Sequence, residues 1–366
     1  MNKKIIILLD GTWNDPEDNT NIRKLDNLIL KNSQQLVKYF PGIGTHKDNE
    51  ILNDIEGSTG LSISSKIKSA YEFIVDSYEI NDEIFIFGFS RGAFEARCLT
   101  SFINYLGVVD KDSMIDITFL NSIQKNFCID RAYEFYQNKY YDNKNYNLDQ
   151  FQDKFCIKNS KQVKFIGVFD TVGALGIPVE ADIIQKMDKE IYKFYDTSLN
   201  DKVDYAYQAL AIDEHRFSFE PTLWSSCSEK TKMEQIWFCG CHSDIGGGYE
   251  DNDKISKIPL SWMINKAKDA GLIFTQELSY DENDFKEEIH DSYKVFKEQY
   301  GDVVGDKTYR EMLNPKYPNQ YIHSSVKLRT KDVGLDYHPD NITYIKEDPF
   351  KLSNIDLNEF EKVIDN

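Results

Sequence analysis

Four short runs of apolar residues, each followed by a polar loop, constrain the fold of this chain more than any other feature of its sequence. They are Ile5–Leu9, Ile84–Phe87, Phe165–Phe169 and Gln235–Cys241. The runs are continuous and do not alternate with polar residues, which is typical of central parallel strands that helices cover on both faces. The sequence therefore predicts a buried, mostly parallel sheet.

Helical patterns lie between and after these runs. Ser64–Tyr78 and Ala93–Leu106 carry apolar residues at three- and four-residue spacing. Leu260–Ala270 is predicted as a short helix that ends at Gly271, and residues 179–208 are predicted as a further helical pair. Because strands alternate with helices, we expect a doubly wound α/β fold with helical insertions.

The length of 366 residues suits one large α/β domain with insertions, and we predict a single domain over residues 1–366. Residues 111–160 are rich in Asn, Lys, Tyr and Asp and are predicted as a helical insertion. Residues 272–366 are polar and are predicted as a C-terminal elaboration packed on the same domain.

The charge of the chain argues against several classes of partner. Asp and Glu number 61 against 43 Lys and Arg, which gives a formal net charge of −18. Such a surface repels phosphate backbones, so we expect no nucleic-acid partner. A spanning helix needs about 18 uninterrupted apolar residues, and the sequence contains no such stretch.

We do not expect the first residues of the sequence to be a signal peptide. Its first apolar run is interrupted by Asp10 and is too short for a signal peptide. The six cysteines are scattered, which is unlike a disulfide framework. We therefore expect a protein that is cytoplasmic as synthesised, with reduced thiols.

The strongest chemical signal is the sequence Gly-Phe-Ser-Arg-Gly at residues 88–92, placed where the run Ile84–Phe87 meets a helix. A nucleophile elbow has this arrangement: the serine occupies a tight turn, and its neighbours two positions away must be small. Ser90 is therefore the candidate nucleophile. The alternative is a structural glycine turn.

A serine nucleophile needs a base and an orienting acid. In folds with a nucleophile elbow, the acid follows the serine along the chain and the histidine follows the acid. Asp170 ends the third apolar run and is the candidate acid, although an aspartate after a strand is also a common helix cap or turn residue. His242 ends the fourth run, just before three glycines, and is the candidate base.

Other histidines compete with His242 for the role of base. His46 precedes the serine and would break the chain order, and His215 has charged neighbours typical of a surface ion pair. His290 and His323 lie in the C-terminal part, where the last strand of a hydrolase sheet usually delivers its histidine. His323 is the second choice.

An oxyanion hole requires two backbone donors. The first candidate is the N–H of Arg91, which follows the serine. In the loop after the first run, Gly11 lets the backbone approach closely, and Thr12 or Trp13 is the candidate for the second N–H. This loop is expected beside Ser90 if the first and second runs pair in a parallel sheet. The alternative for the loop is a tight turn in which Asp10 bonds to its own backbone.

We expect neither a cofactor nor a metal. Gly57-Ser58-Thr59-Gly60 lacks the Gly-Lys-Ser/Thr continuation of a phosphate-binding loop. Asp244, Asp251 and Asp253 do not have the spacing of a known ligand set.

A series of motifs runs in order from the first strand to about residue 329. They are DGTWN at 10–14, PGIGT at 41–45, GFSRGA at 88–93, FDTV at 169–172, DEHR at 213–216, HSDIGGGY at 242–249, HDS at 290–292 and HSSV at 323–326. The series resembles the uncharacterised α/β-hydrolase domain family that includes phospholipase effectors of type VI secretion systems. The resemblance implies an α/β-hydrolase fold, a serine nucleophile and no cofactor.

The same resemblance implies a function. Some relatives hydrolyse acyl esters of phospholipids, so we expect a serine ester hydrolase, a (phospho)lipase or esterase, that uses Ser90, Asp170 and His242. It further implies an antibacterial effector that is exported without a signal peptide and has a carrier or immunity protein as partner. The large effectors carry an additional membrane-associating module, which we do not expect in 366 residues.

Two other functions remain open from the sequence. One is a soluble esterase, thioesterase or amidase that acts on a small substrate. The other is a non-catalytic hydrolase scaffold used for protein interaction, although a scaffold need not retain a serine between two glycines.

Overall fold

The computed structural model describes residues 2–12, 14–42, 51–113, 121–140, 147–173, 198–199, 201–278, 281 and 283–343. Its strands are β1 (Lys4–Leu9), β2 (Gln35–Phe40), β3 (Glu83–Phe89), β4 (Val163–Phe169), β5 (Ser198–Leu199), β6 (Val203–Ala211), β7 (Ser226–Cys227), β8 (Lys232–Phe238) and β9 (Gln320–Ile322). Its α-helices are α1 (Asn21–Leu28), α2 (Ile51–Ser77), α3 (Arg91–Leu106), α4 (Asn121–Gln137), α5 (Leu148–Phe155), α6 (His242–Gly246), α7 (Lys257–Asp269), α8 (Ser292–Tyr300), α9 (Ser324–Lys331) and α10 (Asp340–Thr343).

The central sheet has seven strands in the order β2-β1-β3-β4-β6-β8-β9, and every neighbouring pair is parallel. Parallel pairing places the carboxyl ends of β1, β3, β4 and β6 along one edge of the sheet. Leu9 is in register with Gly88, and Phe89 with Phe169. The residues that follow these strands therefore meet at one edge, and the predicted α/β-hydrolase-type sheet is confirmed.

Helices cover both faces of the sheet. Along β1, Ile5, Ile7 and Leu9 belong to one core, which α2, α3 and α4 close. The alternate residues Ile6 and Leu8 belong to a second core, which α1 and α7 close. This alternation follows from the two-residue period of a strand, and it explains why β1 is apolar from Ile5 to Leu9.

The helical patterns over Ser64–Tyr78 and Ala93–Leu106 are confirmed as parts of α2 and α3, except that α2 ends one residue earlier, at Ser77. Within the described residues, none of the helices combines the length and the apolar character needed to cross a bilayer.

The expectation of a helical pair over residues 179–208 is wrong at its C-terminal end, because Val203–Ala211 forms β6 in the middle of the sheet. Residues 179–197 of that prediction lie outside the described residues. A buried Gln208 interrupts the apolar run of β6. Its side chain bonds to Thr171 Oγ1 at 2.5 Å and to the Thr222 carbonyl at 3.1 Å, so a polar residue is accommodated in the core.

Candidate active site

Ser90 lies in the turn between β3 and α3, with φ 57° and ψ −124°. A positive φ is unfavourable for a residue with a side chain and persists where the surroundings enforce it. The Ser90 N–H donates to the Phe169 carbonyl at 3.0 Å, and the Ser90 carbonyl accepts from Ala93 N–H at 3.1 Å. The turn is thus held from both sides, as a nucleophile elbow requires.

The glycines on either side of Ser90 are required by close backbone contacts. A Cβ on Gly88 would lie 2.4 Å from the Gly92 carbonyl oxygen, and a Cβ on Gly92 would lie 2.2 Å from the Leu9 carbonyl oxygen. Both contacts are with backbone, which cannot rotate away as a side chain does. The helix that follows Ser90 can therefore approach β1 only when residue 92 is glycine.

We expect Gly92→Ala to lower the free energy of unfolding by about 1–3 kcal/mol, because the added methyl group forces α3 away from β1. Urea denaturation measures this effect. Gly334→Ala is the matched control, since Gly334 is exposed and its nearest neighbour is the end of the Asp332 side chain; it should stay within about 0.5 kcal/mol. Equal stability of the two variants would contradict the packing described here.

Asp170 follows β4 directly and is fully buried. Its Oδ2 lies 2.6 Å from His242 Nδ1, and its Oδ1 accepts the Ala211 N–H at 3.0 Å. Arg310 donates to both oxygens, at 2.6 and 3.0 Å. Burial raises the pKa of the Asp170 carboxyl, but Arg310 and His242 outweigh it, so that the pKa is well below its usual range. Asp170 is therefore ionised at neutral pH.

His242 is the first residue of α6, which follows β8. Its ring lies between Phe89 and Phe219, with ring centroids 4.8 and 4.9 Å away, and its main-chain N–H donates to Glu214 Oε2 at 3.2 Å. Nε2 is buried and has no hydrogen-bond partner among the described residues. Burial lowers the pKa of His242 although Asp170 raises it. A neutral imidazole with a vacant Nε2 is the form that a general base requires.

The three candidate residues follow β3, β4 and β8, whose carboxyl ends lie along one edge of the sheet. Asp170 and His242 are in direct contact. Ser90 is tied to the residue before Asp170 through the Phe169 carbonyl, and its neighbour Phe89 packs on the His242 ring. Strand register thus places a serine, a histidine and an aspartate in one neighbourhood, the composition of a serine-hydrolase triad.

His323, the second candidate for the base, has a different position. Its Nδ1 accepts the Ser325 N–H at 3.2 Å and caps α9, and its ring stacks on Phe238 at 4.6 Å. Burial lowers its pKa to about 3. The histidine in contact with Asp170 is His242.

His290 and His215 also have other partners. His290 Nδ1 lies 2.6 Å from Asp244 Oδ1, and His215 Nδ1 lies 2.8 Å from the Thr308 carbonyl.

The loop after β1 lies beside Ser90, as the parallel pairing of β1 and β3 predicts. A Cβ on Gly11 would lie 3.2 Å from Ser90 Cβ. The Gly11 N–H donates to the carboxylate of Asp10 at 2.8 Å, which is the tight turn considered as the alternative for this loop. The side chains of Thr20 and Tyr39 also donate to that carboxylate, at 2.6 and 2.8 Å. The loop is therefore held firmly next to the serine.

The other candidates for the oxyanion hole are Arg91, at the start of α3, and Thr12 and Trp13, in the loop after β1. Arg91 is the first residue of α3, so its N–H belongs to the positive end of that helix. Thr12 is part of the turn after β1, and Trp13 lies outside the described residues.

Three residues of the site were not singled out from the sequence as functional. Arg310 binds Asp170, while Glu214 and Arg216 form a two-point ion pair beside His242, with nitrogen–oxygen distances of 2.9 and 2.8 Å. Burial raises the pKa of Glu214, but Arg216 lowers it to about 2. Glu214 and Arg216 belong to the DEHR motif at 213–216, so the motif series pointed to this segment of the chain. No motif includes Arg310.

A seven-stranded parallel sheet whose third strand along the chain ends in a Gly-x-Ser-x-Gly turn is that of an α/β hydrolase. The chain belongs to the family of the type VI secretion system phospholipase effectors, Tle1-like, catalytic domain, whose model matches residues 3–266.

A curated relative is the uncharacterized protein YEL023C of Saccharomyces cerevisiae. It is 26% identical over 267 residues, which cover 66% of this chain and 36% of the relative. The chain thus spans about a third of the length of that protein.

Solved structures similar to this chain include an uncharacterized protein, an effector and an esterase. An uncharacterized protein from Pseudomonas aeruginosa has a TM-score of 0.40 and 18% identity, covering 74% of this chain and 46% of that one. The Tle1 effector bound to the VgrG spike of the type VI secretion system has a TM-score of 0.35 and 19% identity, covering 68% and 52%. Esterase 2 of Thermogutta terrifontis, in its tabun adduct, has a TM-score of 0.37 and 11% identity, covering 75% and 86%.

Proposed function

We propose that this chain hydrolyses acyl esters, with Ser90 as nucleophile, His242 as general base and Asp170 as the acid that orients the histidine. The observation that carries the proposal is the buried Asp170–His242 pair, 2.6 Å apart, beside the strained turn of Ser90. His242 Nε2, which has no hydrogen-bond partner in the part of the chain that the structure describes, is the atom that would receive the serine proton. Membership of the phospholipase effector family supports the same chemistry.

The reaction would proceed in two halves. Ser90 Oγ attacks the acyl carbonyl carbon while His242 Nε2 accepts its proton, and the same proton is then given to the leaving alcohol. A water molecule then gives a proton to His242 and attacks the acyl carbon; the bond to Ser90 Oγ breaks, the acid is released, and His242 returns the proton to Ser90 Oγ. Asp170 stays ionised throughout and stabilises the imidazolium that forms in each half.

The developing oxyanion needs two donors. We assign one to the Arg91 N–H at the start of α3. The second comes from the loop after β1, where the Gly11 N–H is already bonded to Asp10. The N–H of Thr12 is our choice, with Trp13 as the other member of the loop, and Gly11 allows the close approach to Ser90.

The proposed substrate is the acyl ester of a phospholipid. This assignment comes from the family, whose description names phospholipase effectors. We also propose, on the same ground, that the protein is exported by the type VI system without a signal peptide, with a carrier or immunity protein as its partner. A panel of phospholipid vesicles and short chromogenic esters tests the substrate class, because turnover of the short esters alone would replace the lipase by a small-ester hydrolase.

The net charge of −18 leads to a prediction about membranes. Anionic lipid repels the protein over a screening length of about 8 Å at physiological salt. We therefore expect vesicle hydrolysis to be at least about threefold faster on zwitterionic than on anionic lipid, and added salt to raise the anionic rate. Fatty-acid release at two salt concentrations measures both effects.

A monomeric soluble ester is the control for this prediction, since its hydrolysis involves no bilayer and should show neither dependence. If hydrolysis is fastest on anionic vesicles at low salt, a local basic surface governs membrane binding and the prediction is wrong.

A further inference from the structure

Arg310 is buried against Asp170 and forms several hydrogen bonds within the site, although it belongs to none of the sequence motifs. Nη1 donates to Asp170 Oδ1 at 2.6 Å and to the Ala211 carbonyl at 2.9 Å. Nη2 donates to Asp170 Oδ2 at 3.0 Å and also to the Phe219 carbonyl. One guanidinium therefore holds the candidate acid, the end of β6 and the residue whose ring packs on His242.

The contacts of Asp170 leave little freedom to its carboxylate. Oδ1 accepts from Ala211 N–H and Arg310, and Oδ2 accepts from His242 and Arg310. Two-point binding of a carboxylate by a guanidinium fixes its orientation as well as its position. The direction in which Oδ2 faces the imidazole is thus set by a residue of the 272–366 segment, beyond residue 266, where the match to the family model ends.

The charges that face His242 balance before the imidazole gains a proton. Asp170 is paired with Arg310, and Glu214 is paired with Arg216. When the imidazole of His242 gains a proton in the reaction, this buried group of four paired side chains and the imidazole therefore acquires a net positive charge. Since Nη2 of Arg310 and Nδ1 of His242 bind the same oxygen, they lie within two hydrogen-bond lengths of each other, and the two cations repel.

We propose that Arg310 is a positioning residue for the Asp170–His242 pair, which fixes the carboxylate against the imidazole and neutralises its charge. The proposal rests on the proposed function only for its consequence in catalysis. It assigns two separable effects to one side chain: a geometric effect, which needs both guanidinium nitrogens, and an electrostatic effect, which needs only the positive charge.

The electrostatic effect keeps His242 neutral to lower pH. Burial lowers the pKa of His242, whereas Asp170 raises it. The guanidinium of Arg310, which binds the same carboxylate oxygen as the imidazole, opposes a second positive charge there. Removal of the Arg310 charge should therefore raise the pKa of His242. The acidic limb of the pH profile of kcat/KM should move to higher pH for the same reason.

The test compares Arg310→Met, Arg310→Lys and the wild type by NMR titration of the His242 imidazole, assigned by its absence from His242→Ala. We expect Arg310→Met to raise the titration midpoint by about one pH unit. Arg310→Lys keeps the charge and should leave the midpoint near that of the wild type. It cannot bridge both carboxylate oxygens, so its kcat/KM on a short ester should fall about 10–100-fold.

Arg329→Met is the matched control. Arg329 is as buried as Arg310, but Nη1 donates to the carbonyls of Phe285 and Glu287, away from Asp170. We expect its His242 midpoint to equal that of the wild type and its kcat/KM to follow only its folded fraction, measured by circular dichroism.

The proposal is overturned if the His242 midpoint in folded Arg310→Met equals the wild-type value, or if Arg310→Lys loses activity only in proportion to its folded fraction. If Arg310→Met does not fold, Arg310→Lys decides alone, through a loss of kcat/KM at full folding. If the midpoint rises as expected while the wild type hydrolyses no ester, the electrostatic effect of Arg310 on His242 stands and the proposed function fails.

Discussion

Ser90→Ala should remove ester hydrolysis almost completely, with a loss in kcat of about 10⁴–10⁶. The reason is that the hydroxyl is the proposed nucleophile, while the methyl group of alanine fits the space that the serine Cβ occupies. The backbone hydrogen bonds of the turn do not involve the hydroxyl, so the melting temperature should stay close to that of the wild type. Initial rates on a chromogenic ester and a thermal melt measure the two quantities.

Ser101→Ala is the matched control for this variant. Ser101 lies on the same helix, and its hydroxyl accepts from Lys139 Nζ at 2.7 Å rather than facing the site. Its kcat should remain within about threefold of the wild type, because Ser101 is only half-buried and lies away from the site. Activity of Ser90→Ala within about tenfold of the wild type would place the nucleophile elsewhere.

Among single alanine substitutions of the histidines, His242→Ala should be as inactive as Ser90→Ala and should remain folded, because its Nε2 is the proposed proton acceptor. His323→Ala should instead lose thermal stability, since it removes the cap of α9 and the stacking on Phe238. Loss of a helix cap costs about 0.5–2 kcal/mol. Activity per folded molecule, from rates and thermal melts of the same samples, separates the two outcomes.

His290→Ala and His215→Ala extend this comparison, because both side chains have partners away from Asp170. Both should keep most of their activity per folded molecule. A folded and inactive His323→Ala beside an active His242→Ala would assign the base to the C-terminal segment, and the contact between His242 and Asp170 would then be structural.

The strands that could be predicted from the sequence are those buried on both faces of the sheet. The four apolar runs correspond to β1, β3, β4 and β8. β2 was missed because it is an edge strand whose residues are mostly only half-buried, β6 because Gln208 lies in its core, and β9 because it has three residues. A continuous apolar run reveals a strand that is buried on both faces. It does not reveal a strand in which tertiary hydrogen bonds satisfy a buried polar residue.

The candidate site divides in the same way. Ser90, Asp170 and His242 each follow an apolar run, so local sequence indicated them, and the parallel sheet explains why they meet. Arg310 is separated from Asp170 by 140 positions along the chain and follows no strand. Its role depends on how the C-terminal segment folds back over the sheet edge, which no local pattern encodes.

The central claim is that Ser90 is a nucleophile activated by His242. Treatment with a fluorophosphonate, followed by mass spectrometry of the intact protein and its peptides, tests it without knowledge of the natural ester. We expect one adduct, placed on Ser90 by fragment spectra, that is absent from Ser90→Ala and forms much more slowly in His242→Ala. No adduct on the folded wild-type protein, or an adduct on another residue that persists in Ser90→Ala, would contradict the claim.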